Sequence, residues 1–90
     1  MKTDLDNQFL KVFNEISNME QSLAPDVMLK LYAFYKQAVS GDIYTYNGQI
    51  DVRNGFKFNA WTQLKGMSEK EAKEQYIKLA ENTLIVNQEL

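Results

Sequence analysis

The chain contains no cysteine and no histidine. Without cysteine there is no disulfide, no thiolate nucleophile and no thiolate-held metal. Without histidine the commonest general base near neutral pH and the commonest metal ligand are both missing. The four glycines, Gly41, Gly48, Gly55 and Gly66, do not form a phosphate-cradling loop followed by lysine. Net charge is also small: −2 exerts no global pull on nucleic acid or an anionic membrane, so any anion site must be local. No apolar run approaches a membrane span, and the N-terminus lacks a signal-peptide pattern. The expectation is a cytoplasmic protein with no stable membrane insertion.

What is present is ordinary for one soluble globular domain. Ninety residues, 44% of them hydrophobic and 24% charged, suit a single unit over 1–90 with a small core. Thr3, Asp4 and Asp6 mark a helix start, with acidic groups at the positive end of the macrodipole. Leu5, Phe9, Val12, Phe13 and Ile16 then recur at helical spacing and form a core stripe. A polar connection from Asn18 to Ala24 follows.

Pro25 suits the first turn of a second helix, where a missing N–H costs nothing, and Asp26 supports that start. The helix is expected to run to about Val39 and to stop at Ser40-Gly41. From Asp42 to Val52 no period is sustained. Asn47-Gly48 signals a tight turn within an ordered loop, and Ile43 is expected to pin that loop to the core. Asp51 is placed to cap a third, shorter helix whose apolar face is Phe58, Trp61 and Leu64, ending at Gly66. Ser68-Glu69-Lys70-Glu71 reads as a capping box, with Met67 and Ala72 placed for a hydrophobic staple. The fourth helix presents Ala72, Tyr76, Leu79, Ala80 and Thr83 on one face, with Ile77 and Leu84 beside it. Fraying is expected from Asn87 to Leu90. The reading is all-α: four helices, one medium loop and no strand.

Catalysis is hard to build from these residues. Carboxylates are spread over solvated helix surfaces with no paired acid and base, and the serines lack a histidine partner. Ser68 serves better as a cap than as a nucleophile. No spacing near Asp42 or Asp51 matches a calcium loop. Neither a catalytic residue, a metal site nor a cofactor is expected. Binding is easier to build. Tyr32, Tyr35 and Lys36 share one helix face at i, i+3 and i+4, with Met28 one turn earlier. Rings that stack and an ammonium that pairs with an anion suit a planar base carrying a phosphate. The same tyrosines also read as half-buried core residues with hydroxyls at the rim. Arg53 and Lys57 open the third helix and Tyr76 lies on the fourth. Packing of these helices would let phenols and cations converge. Taken singly, Lys57 reads as a solvated lysine, Trp61 as core, and Tyr76 equally as core or as a ligand contact.

The run LYAFYKQAVSGDIYT (Leu31 to Thr45), followed by KFNAWTQLKGMSEKEAKEQYI (Lys57 to Ile77), strongly resembles the acyl-CoA-binding protein family. The order, spacing and loop match over nearly the whole chain. The resemblance implies an up-down-down-up four-helix bundle with a long connection between helices 2 and 3. It further implies a monomeric intracellular carrier of medium- to long-chain fatty acyl-CoA thioesters. By that resemblance Tyr35 stacks on the adenine, Tyr32, Lys36 and Lys57 gather round the 3′-phosphate, and Tyr76 contacts the nucleotide from the last helix. Met28 and Leu29 line the adjoining apolar surface.

Three features depart from the family pattern. Lysines common in helix one and the turn after it are replaced by Ser17, Asn18, Met19, Glu20, Gln21 and Ser22, which include no cation. Arg53 is a candidate replacement charge. The loop is about one residue shorter than usual, and Phe58 stands where a tryptophan is common. An alternative of another class stays open: a diverged bundle acting as a protein-interaction module, with weak or no acyl-CoA binding.

Overall fold

The computed structural model describes residues 3–19, 23–42 and 55–88. Four helices account for most of them: α1 (Asp4–Ser17), α2 (Pro25–Ser40), α3 (Gly55–Thr62) and α4 (Glu69–Gln88). The expectations for Glu20, Ile43, Asn47-Gly48, Asp51 and Arg53 lie outside the described residues.

Each boundary has a local cause. Thr3 caps α1: its Oγ1 accepts from the Asp6 N–H at 3.1 Å, and the Asp6 carboxylate accepts from the Thr3 N–H at 3.3 Å. Two otherwise orphaned donors are thereby satisfied. Pro25 occupies the first turn of α2, and Gly41 ends it at φ 74°, a conformation that disfavours a side chain. Ser68 Oγ accepts from the Glu71 N–H at 3.0 Å and starts α4. Helix α3 stops at Thr62, before the expected Gly66. Leu64, Lys65 and Met67 instead donate three residues back, in tight turns that bring Gly66 round at φ 93°. At the other end of the chain α4 stays helical through Gln88, one residue past the point where fraying was expected to begin.

Cross-helix pairs give the direction of each element. Asp6 meets Lys73 and Gln8 meets Glu81, so α1 and α4 run parallel. Tyr35 meets Tyr76 and Gln37 meets Met67, so α2 opposes α4. Tyr32 meets Lys57 and Gln37 meets Trp61, so α2 and α3 run together. The bundle is up-down-down-up, with the longest connection between α2 and α3. Helices α2 and α4 form the centre, with α1 packed on α4 and α3 on α2. The core comprises Phe9 and Val12 of α1, Leu31 and Ala38 of α2, and Ala72, Tyr76, Ile77 and Ala80 of α4. Three of these eight are alanines, Ala38, Ala72 and Ala80. Leu5, Phe13, Ile16, Met67 and Leu79 pack around this cluster.

One wholly buried polar side chain, Gln37, ties the C-terminal ends of α2 and α3 to the start of α4. Its Nε2 donates to Asp42 Oδ1 and to the Met67 carbonyl, both at 2.8 Å, while its Oε1 accepts from Trp61 Nε1 at 3.1 Å. The indole N–H also reaches the Gly41 carbonyl at 2.9 Å, and the Gly66 N–H donates to Asp42 Oδ1 at 2.8 Å. No buried side-chain nitrogen or oxygen among the described residues lacks a partner.

Gln37→Ala leaves the Met67 carbonyl and one indole partner unmet and opens a cavity. The expected cost is about 2–4 kcal/mol in urea unfolding, and a loss under about 1 kcal/mol would contradict this account. Hydrogen bonds from the Gly66 N–H and Gln37 hold the Asp42 carboxyl below its usual range, and Lys73 and the Thr3 N–H do the same for Asp6. Both groups stay ionised to lower pH in the folded chain than in the unfolded one. Their stabilisation is therefore present above the ordinary carboxylate range and lost as pH falls from about 4 through the depressed values. Acid unfolding of Asp6→Asn/Asp42→Asn should be correspondingly flatter than that of the unaltered chain.

Candidate functional site

Helices α2 and α3 run side by side, and a groove of about 460 Å³ opens between their N-terminal halves. Pro25, Met28, Leu29 and Tyr32 form the α2 wall, at the i, i+3, i+4 and i+7 spacing of one helix face; Phe56 and Lys57 form the α3 wall. The volume is within the range of about 300–1,000 Å³ typical of small-molecule sites. Met28 is 52% exposed, and Leu29 and Tyr32 are half-buried, so the apolar wall faces water. Lys57 Nζ stands over the Tyr32 ring, 5.4 Å from its centroid. The groove therefore changes from apolar to cationic along its length.

Four of the seven residues singled out from the sequence, Met28, Leu29, Tyr32 and Lys57, meet in this groove. Lys36, one turn beyond Tyr32 on α2, holds its ammonium 5.1 Å from the centroid of the Trp61 ring. Both lysines are thus seated on aromatic faces along the same α2–α3 seam. Trp61 is buried, as its position on the apolar face of α3 predicts.

Tyr35 and Tyr76 do not line the groove. Tyr35 is half-buried, with its ring stacked on Phe13 at 4.9 Å and 14° and parallel to Phe9 at 6.2 Å. Tyr76 is 2% exposed, packed 5.0 Å from Phe9 and 6.5 Å from Tyr35. Of the two readings of Tyr76, its setting is that of a core ring. The cause is its position on the face of α4 that meets both α1 and α2. Burial, with the neighbouring Tyr35 second, pushes its phenol up to about 12. It stays neutral throughout the physiological range.

Sequence reasoning missed Phe56 altogether, and read Pro25 only as a helix start. Phe56 is out of phase with Phe58 and Trp61, so an apolar residue there has no core to enter. That mismatch, beside a lysine, was the available signal. No cluster of three metal-ligating side chains occurs among the described residues, and no helix among them is long and apolar enough to cross a membrane.

Fold and groove together define a small all-α bundle with an open, amphipathic binding groove. The family model described as acyl-CoA-binding protein matches residues 6–80. The chain belongs to the acyl-CoA-binding protein family. It is 33% identical over 85 residues to the acyl-CoA-binding protein of Saccharomyces cerevisiae, covering 93% of this chain and 94% of that one. With the Manduca sexta acyl-CoA-binding protein homolog it shares 32% identity over 82 residues, covering 89% and 91%. The crystal structure of Oryza sativa acyl-CoA-binding protein 2 superposes with a TM-score of 0.84 at 26% identity, covering 93% of this chain and 94% of the rice chain.

The buried phenol gives a direct check on this geometry. In a spectrophotometric titration, Tyr76→Phe should differ from the unaltered chain only near about pH 12, where the Tyr76 phenol ionises. A raised folded pKa stabilises the protonated state, so the stability it contributes should be intact at neutral pH and fall as pH rises from about 10 through about 12. A Tyr76 that ionises at the ordinary tyrosine value of about 10 would contradict its placement.

Proposed function

We propose that the chain binds medium- to long-chain fatty acyl-CoA thioesters without catalysis, as a cytoplasmic, monomeric carrier and buffer, with residues 1–90 acting as a single acyl-CoA-binding domain. The observation that carries this reading is the groove itself. Lys57 and Tyr32 stand at its polar end, and Met28 and Leu29 form an apolar wall leading away from them. An amphipathic anion matches that polarity.

In this reading the 3′-phosphate is held by Lys36, Lys57 and the Tyr32 hydroxyl, and the adenine stacks on Tyr35. Tyr76 supports Tyr35 from behind, through the aromatic packing it shares with Phe9 and Phe13. A stacked base contributes roughly 1–3 kcal/mol, and a charge-assisted hydrogen bond to phosphate about 1.5–3 kcal/mol. The acyl chain lies along Met28 and Leu29, where each buried methylene adds roughly 0.8 kcal/mol. About four further methylenes would tighten binding on the order of a hundredfold. The head-group contacts anchor the ligand, and the apolar wall ranks chain lengths. Holding the thioester in this way shields it and limits its detergency. The chain has no histidine or cysteine, and no bond of the ligand is made or broken in this role.

A second reading, a protein-interaction module, draws on Leu10 of α1 and Val39 of α2. Both are exposed beside a separate hollow of about 430 Å³. That hollow also holds Asp6, Glu69 and Lys73, so it lacks the continuous apolar surface such a module needs.

Titration calorimetry with palmitoyl-CoA separates the two. Saturable binding at micromolar protein is expected, and its absence would remove the carrier reading. Tyr35→Ala and Lys36→Ala should each weaken binding by roughly 1–3 kcal/mol with helical content retained. Unaltered affinity in both variants would place the ligand on another face.

A further inference from the structure

Phe56 is the most exposed large apolar side chain among the described residues, at 78%. Its place is the rim of the groove, across from Pro25, Met28 and Leu29. The ring is out of phase with the core face of α3 and has no structural role there. On the α3 wall the chemistry changes within one peptide unit, from the Phe56 ring to the Lys57 ammonium over Tyr32. On the α2 wall the same change is spread over two turns, from Pro25 to Tyr32, about 10 Å at 1.5 Å per residue. The polar end is thus fixed at Lys57 and Tyr32. The remaining length is bordered by apolar side chains on both sides, with the α3 side supplied by Phe56.

We propose that Phe56 is the second wall of the acyl-chain site, closing over the fatty chain and conferring preference for long chains over short ones. This rests on the carrier reading above and adds a specificity determinant to it. A ring left in water gains when it covers a hydrocarbon chain, and the gain exists only when the chain is long enough to lie beneath it. Charge complementarity at the Lys57 end sets the ligand's direction and so brings the tail, rather than the nucleotide, under Phe56.

The test compares Phe56→Ala and Phe56→Leu with the unaltered chain, using palmitoyl-CoA, acetyl-CoA and free CoA in calorimetry, with circular dichroism as the check on folding. An exposed ring can be removed without opening the core. Phe56→Ala should lose on the order of tenfold in affinity for palmitoyl-CoA and none for acetyl-CoA or free CoA. Phe56→Leu should recover part of the loss. Equal loss for all three ligands would mean that the ring acts only by positioning Lys57, and would overturn the proposal. Undiminished palmitoyl-CoA affinity would overturn it while leaving the carrier reading intact. If the unaltered chain binds no palmitoyl-CoA, both fall together. A ligand-free dimer dispersed by Phe56→Ala would make a second copy of the chain the occupant and would also overturn the proposal.

Discussion

A single buried amide sets the angle between the helices on which everything else stands. Gln37 is wholly enclosed, and an enclosed amide is tolerated only when its donors and acceptor are all met. Its partners come from three places: Asp42 just past the end of α2, Trp61 on α3 and Met67 before α4. Apolar packing alone would allow α3 to slide along α2, because dispersion contacts are not directional. Hydrogen bonds with defined geometry remove that freedom. The short α3 therefore has a fixed register against α2 although it buries little besides Trp61.

The clasp lies further along the same α2–α3 pair whose N-terminal halves form the groove. Trp61 gives its N–H to Gln37 and Gly41, and its ring face to Lys36. Lys36 and Gln37 are neighbours in sequence that point to different surroundings, one into the clasp and one to the Trp61 ring at the seam. Lys57 is seated on Tyr32 in the same manner. A lysine held over a ring has fewer rotamers to surrender when it meets an anion, which lowers the ordering cost of binding. Behind the site, the rings of Phe9, Phe13, Tyr35 and Tyr76 form a continuous aromatic contact from α1 through α2 to α4. That packing joins α1 to a site to which it contributes no side chain of the groove lining.

The sequence made the helices legible because their signals are local. Thr3, Pro25, Gly41 and Ser68 each act within one turn, and the apolar stripes repeat at the helical period. Along α2, Met28, Leu29 and Tyr32 were readable as one face for the same reason. Other features depend on distance in sequence. Gln37 looks like any polar residue on a helix until Asp42, Trp61 and Met67 are brought around it. Tyr76 carried two readings because a phenol suits a core and a rim equally, and its burial follows only once α1 and α2 are packed against α4. Phe58, Trp61 and Leu64 suggested a helix reaching Gly66, yet the chain leaves the helix at Thr62, and the Gly66 N–H donates to the Asp42 carboxylate.

The departures from the family pattern bear on how the charge is arranged. The stretch from Ser17 to Ser22 has no cation, and the positive charge that stands at the α2–α3 seam includes Lys36 and Lys57. Each cation lies along the contact between α2 and α3, and each is paired with a ring rather than with a carboxylate. A carboxylate partner would have to be displaced before phosphate could bind, at the expense of an existing ion pair. A ring face keeps the ammonium in position and leaves its outward N–H groups free to donate. With net charge slightly negative and no long-range attraction for anions, selectivity has to come from this local geometry. A ligand that offers only a phosphate meets two lysines at an exposed site, where charge pairs contribute little. In the carrier role proposed above, one that also offers a planar base and a hydrocarbon tail would use Tyr35 and the Met28–Leu29 wall as well, and the apolar terms would then decide which anions stay bound.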